Sequence, residues 1–175
     1  MNKLIFISII SMLFISVYSL SGCTENSNNN VDSGEDFKFQ GLDGSLLYLS
    51  DYRGKIVILD MWATWCSPCK YQMIELQEIY DSYTRDTLEI LSIDVDPSET
   101  LQQIQDFILT SRSQDGIDLN WIFGKDNGKI WEKYMTNDGG IPTLCIFDQD
   151  GNLYFQDAGY KDATVISQKI DNLLS

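Results

Sequence analysis

Residues 55–62, Lys-Ile-Val-Ile-Leu-Asp-Met-Trp, form an apolar run broken by one acid, and the run leads straight into Ala63-Thr64-Trp65-Cys66-Ser67-Pro68-Cys69-Lys70. A run that is apolar at odd and even positions alike fits a central strand covered on both faces. The two cysteines fall where that strand must give way to a helix. A cysteine at a helix start lies beside unsatisfied N–H groups and the positive end of the dipole, and both favour thiolate over thiol. In Cys-x-x-Cys pairs of this kind the pKa falls from about 8.5 toward roughly 7 or below. The thiolate attacks disulfides, and the second sulfur closes the ring and releases the substrate. Cys66 and Cys69 are therefore read as a redox-active disulfide.

Asp60 is the acid in the run. By the period of two it shares a face with Ile56, Ile58 and Trp62, which buries its carboxylate. An ionised, unpaired carboxylate there is costly, and its pKa should rise. Two readings stand: an acid reaching solvent at the strand end, or a proton acceptor and donor six residues before Cys66.

The rest of the chain alternates. Phe37-Lys38-Phe39 and residues 46–49 flank Leu42-Asp43-Gly44-Ser45, a strand–turn–strand signal. Met73, Leu76, Ile79, Tyr80 and Tyr83 recur at helical spacing after Cys69. Residues 88–95 read as a strand. Asp96-Pro97-Ser98-Glu99 offers an N-cap acid, a proline at the first helical position and a glutamate at the third, so a helix is expected to start there. Residues 112–118 read as a polar loop, 119–123 as a short strand, and 129–135 as a short helix. Ile141-Pro142-Thr143 opens the strand 143–147, and Asp148-Gln149-Asp150-Gly151 turns it into 153–156. Val165, Ile166, Ile170, Leu173 and Leu174 mark a final amphipathic helix. Strands alternating with helices give an α/β fold whose sheet is covered on both faces.

The four cysteines at 23, 66, 69 and 145 make no disulfide framework. There is no histidine, which excludes mixed Cys/His zinc sites and a histidine general base. A cysteine-only zinc site needs four ligands held together, and Cys23 lies in a flexible stretch, so no metal is expected. Cys145 sits in an apolar run and reads as a small buried hydrophobe; a third redox thiol is the other reading, with nothing local to activate it. The net charge of −14 argues against nucleic acid and anionic lipid head groups as partners.

The N-terminus reads as a leader. Lys3 precedes apolar residues 4–20, and Leu20-Ser21-Gly22 stands directly before Cys23. That ending resembles the lipobox of prokaryotic lipoproteins, which implies a signal peptide at 1–22 and lipid on Cys23. An uncleaved anchor helix, at the lower length limit for spanning a bilayer, and simple secretion are the alternatives. All three place the domain outside the cytoplasm. Residues 23–35, rich in Asn and Ser, read as a flexible tether to a domain at 36–175.

With Trp62 to Lys70, Gly139-Gly140-Ile141-Pro142-Thr143 and Asp60 in place, the domain resembles the thioredoxin-fold superfamily. Within it, the chain is similar to the membrane-anchored, extracytoplasmic thiol–disulfide oxidoreductases of the TlpA/ResA type, over about residues 36–174. The resemblance implies a central mixed β-sheet flanked by helices, with an N-terminal β-hairpin extension and a helical insertion. It implies that Cys66 is the attacking thiol and Cys69 the resolving thiol. Pro142 would be the cis-proline lying against the disulfide, and the backbone of Ile141 would pair with the substrate like an added strand. Trp65 and Trp62 match tryptophans that pack around the site, although a core role suits them equally. Asp60 matches the buried acid that assists proton transfer at the resolving thiol. The chain departs from many membrane-anchored relatives in carrying Gln72 and Ile74 where those have a glutamate and a helix-kinking proline.

The activity so implied is reduction of disulfides in exported proteins by a monomer that needs no cofactor, since the electrons sit on the two sulfurs. A membrane thiol-reductase would recharge it, and cytochrome maturation is a plausible task by analogy. Four rivals stand beside it. A disulfide-forming oxidase would run the same pair backwards. A peroxidase on this fold wants threonine where Ala63 stands. A copper carrier of similar fold would want a histidine. A binding module with a structural Cys-x-x-Cys would gain little, because so short a loop is a poor staple.

Overall fold

The computed structural model describes residues 34–137 and 139–175. The expected leader at 1–22, the lipidation candidate Cys23 and the tether as far as residue 33 lie outside the described residues.

Seven strands and four helices follow one another as β1 (Lys38–Gly41), β2 (Leu46–Tyr48), β3 (Ile56–Trp62), α1 (Ser67–Ser82), β4 (Leu88–Asp94), α2 (Leu101–Thr110), β5 (Ile122–Lys125), α3 (Lys129–Tyr134), β6 (Thr143–Phe147), β7 (Leu153–Ala158) and α4 (Ala163–Leu174). They form one sheet in the order β2-β1-β5-β4-β3-β6-β7. β3 pairs in parallel with β4, and β4 with β5. The pairs β3–β6, β6–β7, β1–β5 and β1–β2 are antiparallel, so the sheet is mixed. The α/β fold and the N-terminal hairpin are as the sequence leads one to expect.

All seven residues of β3 are buried, which explains its apolar run. Its side chains divide by parity between two layers. Ile56, Ile58 and Trp62 pack with Cys69, Met73, Leu76 and Ile79 of α1, Ile104 of α2 and Ile166 and Ile170 of α4. Val57, Leu59 and Met61 face Phe37, Phe39, Ile130, Tyr134 and Cys145 on the other side. Each large aliphatic or aromatic side chain so buried contributes roughly 1.5–3 kcal/mol. β3 is thus fixed from both faces, and the chain leaving its C-terminal end toward α1 is fixed with it.

Three local expectations are corrected. First, α2 starts at Leu101 rather than within 96–99. Thr100 is its N-cap, and Gln103 Oε1 accepts from the Thr100 N–H at 2.8 Å, a capping box that outcompetes the Asp96-Pro97 signal. Asp96 instead folds onto its own loop, accepting from the N–H and hydroxyl of Ser98 at 2.8 and 2.6 Å. Second, β5 lies at Ile122–Lys125 and not at 119–123, because its register is set by both neighbours: Gly124 pairs with Ile93 and with Gly41. A Cβ on Gly124 would stand 2.5 Å from the Phe39 ring, so only glycine admits β1 there. Third, residues Ser111–Asp115 extend α2 by a π-helical turn instead of forming a loop, and Gly116 ends it at φ +70°.

Glu35, read from the sequence as tether, is joined to the domain. Its N–H donates to Gly151 O at 3.0 Å, and its carbonyl accepts from Arg53 Nη2 at 2.6 Å. Its carboxylate pairs with Lys133 at 3.1 Å and accepts from the Tyr134 hydroxyl.

Candidate active site

Cys66 is the N-cap of α1, with Pro68 inside the first turn, where a missing N–H does no harm. Cys66 and Cys69 are joined as a disulfide, Cα to Cα 5.3 Å. The Cys69 N–H donates to Cys66 Sγ at 3.2 Å, so a helix-terminal donor already points at this sulfur. Sixteen residues of helix stand behind it, and their dipole favours charge at that end. Cys69 is fully buried and Cys66 is 3 % exposed, so partners can approach only the edge of Cys66.

The approach is framed by two loops. Trp65 is 65 % exposed, while Trp62, three residues earlier, is buried against Phe107 and Phe123. The two tryptophans that the sequence could not separate thus divide into a surface residue and a core residue. On the facing loop the Ile141–Pro142 bond is cis, and the Ile141 carbonyl oxygen lies 3.7 Å from Cys66 Sγ. Ala63, Trp65, Pro97, Trp131 and Ile141 line a groove of about 540 Å³ beside the sulfur.

Asp60 lies within the sheet, fully buried, on the parity shared with Ile58 and Trp62 and hence on the α1 side with Cys69. Ser92, its cross-strand neighbour on β4, donates to Oδ2 at 3.0 Å and itself accepts from Trp121 Nε1 at 2.9 Å. Oδ1 has no hydrogen-bond partner among the described residues. Burial pushes the carboxyl up to about 7, against the opposing pull of the Ser92 bond. The acid can therefore exchange a proton near neutrality.

The loop between β4 and α2 grips the approach to Cys66. Trp65 Nε1 donates to Asp96 Oδ2 at 2.7 Å. The Thr64 N–H donates to Glu99 Oε2 at 3.1 Å, and the Thr64 hydroxyl donates to Glu99 Oε1. Glu99 is 7 % exposed and neighbours the fully buried Asp94, whose Oδ1 accepts from the Asp96 N–H at 3.1 Å and whose Oδ2 has no hydrogen-bond partner among the described residues. Burial, then the neighbouring Glu99, push Asp94 up to about 8, although Lys125 Nζ stands 3.7 Å from its Oδ1. Burial also pushes Glu99 up, but the neighbouring Asp94 and the bonds from Thr64 outweigh it and hold Glu99 below its ordinary range. No sequence pattern singles out Thr64 or Asp94, and the local pattern points Glu99 to a helix start instead.

Gln72 is buried and closes a two-way amide bridge to Lys161, accepting from its N–H at 2.8 Å and donating to its carbonyl at 3.0 Å. Cys145 is fully buried on the opposite face, where burial and the Glu35 charge push its thiol up to about 12.

A dithiol at the start of a long helix, with one sulfur edge open to a groove and a cis-proline loop, is the arrangement with which thioredoxin-fold proteins exchange disulfides. The chain is a thiol–disulfide oxidoreductase of that fold. It belongs to the AhpC/TSA family, whose model matches residues 32–156. It is similar to the thiol-disulfide oxidoreductase ResA of Geobacillus thermodenitrificans, at 35 % identity over 154 residues, 87 % of this chain and 83 % of that protein. ResA of Oceanobacillus iheyensis is 29 % identical over 162 residues, 87 % of this chain and 79 % of the relative. Among solved structures, the pneumococcal exposed lipoprotein thioredoxin from Streptococcus pneumoniae is 29 % identical with a TM-score of 0.62, covering 79 % of this chain and 99 % of that one.

Proposed function

We propose that the protein is anchored to the outer face of a prokaryotic cell membrane through lipid on Cys23, and that it reduces disulfides of exported proteins there. Cys66 thiolate attacks one sulfur of a partner's disulfide, forming a mixed disulfide and expelling the partner's other sulfur as thiolate. Cys69, giving its proton to Asp60, then attacks Cys66 Sγ. That step forms the Cys66–Cys69 disulfide and releases the partner's second thiolate, so two electrons have passed to the partner. A membrane dithiol donor returns them, and no bound cofactor takes part. Trp65, Ile141 and Pro142 seat the partner chain beside the sulfur, and maturation of cytochromes or other exported thiol proteins is a fitting task.

The observation that carries this reading is the Cys66–Cys69 disulfide at the helix start, with only the Cys66 edge reachable and the ionisable Asp60 buried on the side of Cys69. The leader pattern ending in Cys23, and the printed description of the pneumococcal relative as a lipoprotein, support the anchor. The reduction potential of the pair, measured against glutathione or dithiothreitol buffers, tests the direction. A value near or below about −250 mV supports a reductant, whereas one near about −120 mV would make it an oxidant. Retention in the membrane fraction, and its loss in Cys23→Ala, tests the anchor.

A further inference from the structure

Glu99 stands where a helix cap is expected but does other work. Its carboxylate takes both donors of Thr64, the backbone N–H and the hydroxyl. Thr64 is two residues before Cys66, so their Cα atoms are no more than about 7 Å apart. The peptide between them is pinned on its other side by the Trp65 indole on Asp96. Lys125 ties the same loop from β5, donating to Asp96 O at 2.6 Å and lying beside Asp94. The charged groups converging here are therefore Asp94 from β4, Asp96 and Glu99 from the following loop, and Lys125 from β5.

We infer that Glu99 is a positioning residue for the attacking thiol, fixing the peptide that enters Cys66 and, through its negative charge, opposing the helix dipole so that the dithiol pair stays reducing. The inference rests on Cys66 being the attacking thiol. Two fields meet at this sulfur. The α1 N-terminus and the Cys69 N–H stabilise the thiolate. A carboxylate held two residues away destabilises it, and a less stable thiolate means a less stable reduced form and a lower potential. Because Glu99 is only 7 % exposed, solvent screens its charge less than it would a surface acid. The two Thr64 donors let a carboxylate persist at this depth.

The test uses the full-length chain in detergent at neutral pH. Two quantities are read: the equilibrium with glutathione, and the Cys66 pKa from the pH dependence of alkylation. A reversible two-electron transition in the unaltered protein tests the oxidoreductase reading, independently of Glu99. Glu99→Gln alone is ambiguous, since Asp94 would ionise in its place. Asp94→Asn keeps the Glu99 charge and removes the other acid, so the equilibrium should stay within about twofold of the unaltered protein. The double variant Asp94→Asn/Glu99→Gln keeps an acceptor for Thr64 but strips the charge. It should shift the equilibrium about threefold to tenfold toward the reduced form, tenfold being about 30 mV, and lower the Cys66 pKa. Thr64→Val removes one donor, leaves the carboxylate less neutralised and should shift the equilibrium the opposite way. Equal potentials in the single and double variants, or shifts of one sign in the double variant and Thr64→Val, would overturn the inference. If the double variant does not fold, Thr64→Val decides alone: a shift toward the oxidised form upholds it, and no shift or the reverse sinks it.

Discussion

Ser92 and Asp60 lie directly opposite each other on parallel strands, and the Ser92 hydroxyl, 3.0 Å from Oδ2, is the one hydrogen bond that reaches this carboxyl among the described residues. One neutral donor does not offset full burial, so the folded protein holds the Asp60 proton to about pH 7, against an ordinary 3.8. Between those values the unfolded chain has released the proton while the folded chain keeps it. Stability therefore falls as pH rises from about 4 to about 7, and levels off above. Three units correspond to about 4 kcal/mol at most. Asp60→Asn removes this loss but buries an amide whose N–H groups lack acceptors, at a cost of about 2 kcal/mol, so the variant should be about 2 kcal/mol more stable at pH 8 and about 2 kcal/mol less stable near pH 4. Urea unfolding at the two pH values measures it.

The same carboxyl governs turnover if it accepts the Cys69 proton. Asp60→Asn should slow release of the mixed disulfide about a hundredfold and erase the rate inflection near pH 7. A stopped-flow pH profile that kept its inflection in the variant would remove Asp60 from the mechanism.

Much of this protein is readable from residue order, for reasons that differ by element. β3 and β6 carry apolar runs that only a doubly covered strand explains, and their limits at Trp62 and Phe147 coincide with the expected ones. Asp60 is legible as buried because parity alone assigns its face. The β4–α2 connection is not legible. Asp96-Pro97-Ser98-Glu99 satisfies every local rule for a helix start, yet Thr100 and Gln103 provide a competing box four residues on, and the long-range bond to Thr64 decides between them. β5 departs from its expected extent for a related reason: its limits are fixed by Gly41 and Ile93, far off in sequence. Trp62 and Trp65 look alike in sequence, and only the strand's end separates the buried ring from the exposed one.

Replacing Cys69 by serine leaves the edge of Cys66 open but removes the sulfur that resolves it. Cys69→Ser should accumulate a stable mixed disulfide with a test substrate, visible as a mass increase lost on reduction, whereas Cys66→Ser should form none. An adduct on Cys66→Ser would reverse the order of the two thiols.

Trp65 offers a large exposed ring at the mouth of the groove, with its indole held by Asp96. Trp65→Ala should raise KM for a protein disulfide about tenfold, the loss of one aromatic contact, while leaving kcat within about twofold. Steady-state kinetics with a protein substrate and with a small disulfide separate the two effects, since the small molecule should lose less.

Gly124 admits the Phe39 ring and the Gln40 carbonyl to within 2.5 and 2.7 Å of where a side chain would begin. Gly124→Ala should destabilise the fold by about 1–3 kcal/mol through displacement of β1. Denaturant midpoints report the loss, and the redox potential should not move.

Pro142 and Cys145 are only three residues apart, yet the sheet sends Cys145 into the opposite layer, among Val57, Leu59 and Phe147 and away from Cys66 and Cys69. The sheet thereby acts as insulation. The Cys66–Cys69 pair lies on one face, and Cys145, the free thiol among the described residues, lies buried behind the other. Cys145 is thereby kept out of reach of a sulfur attacked at the Cys66 edge, on the wrong side of the wire.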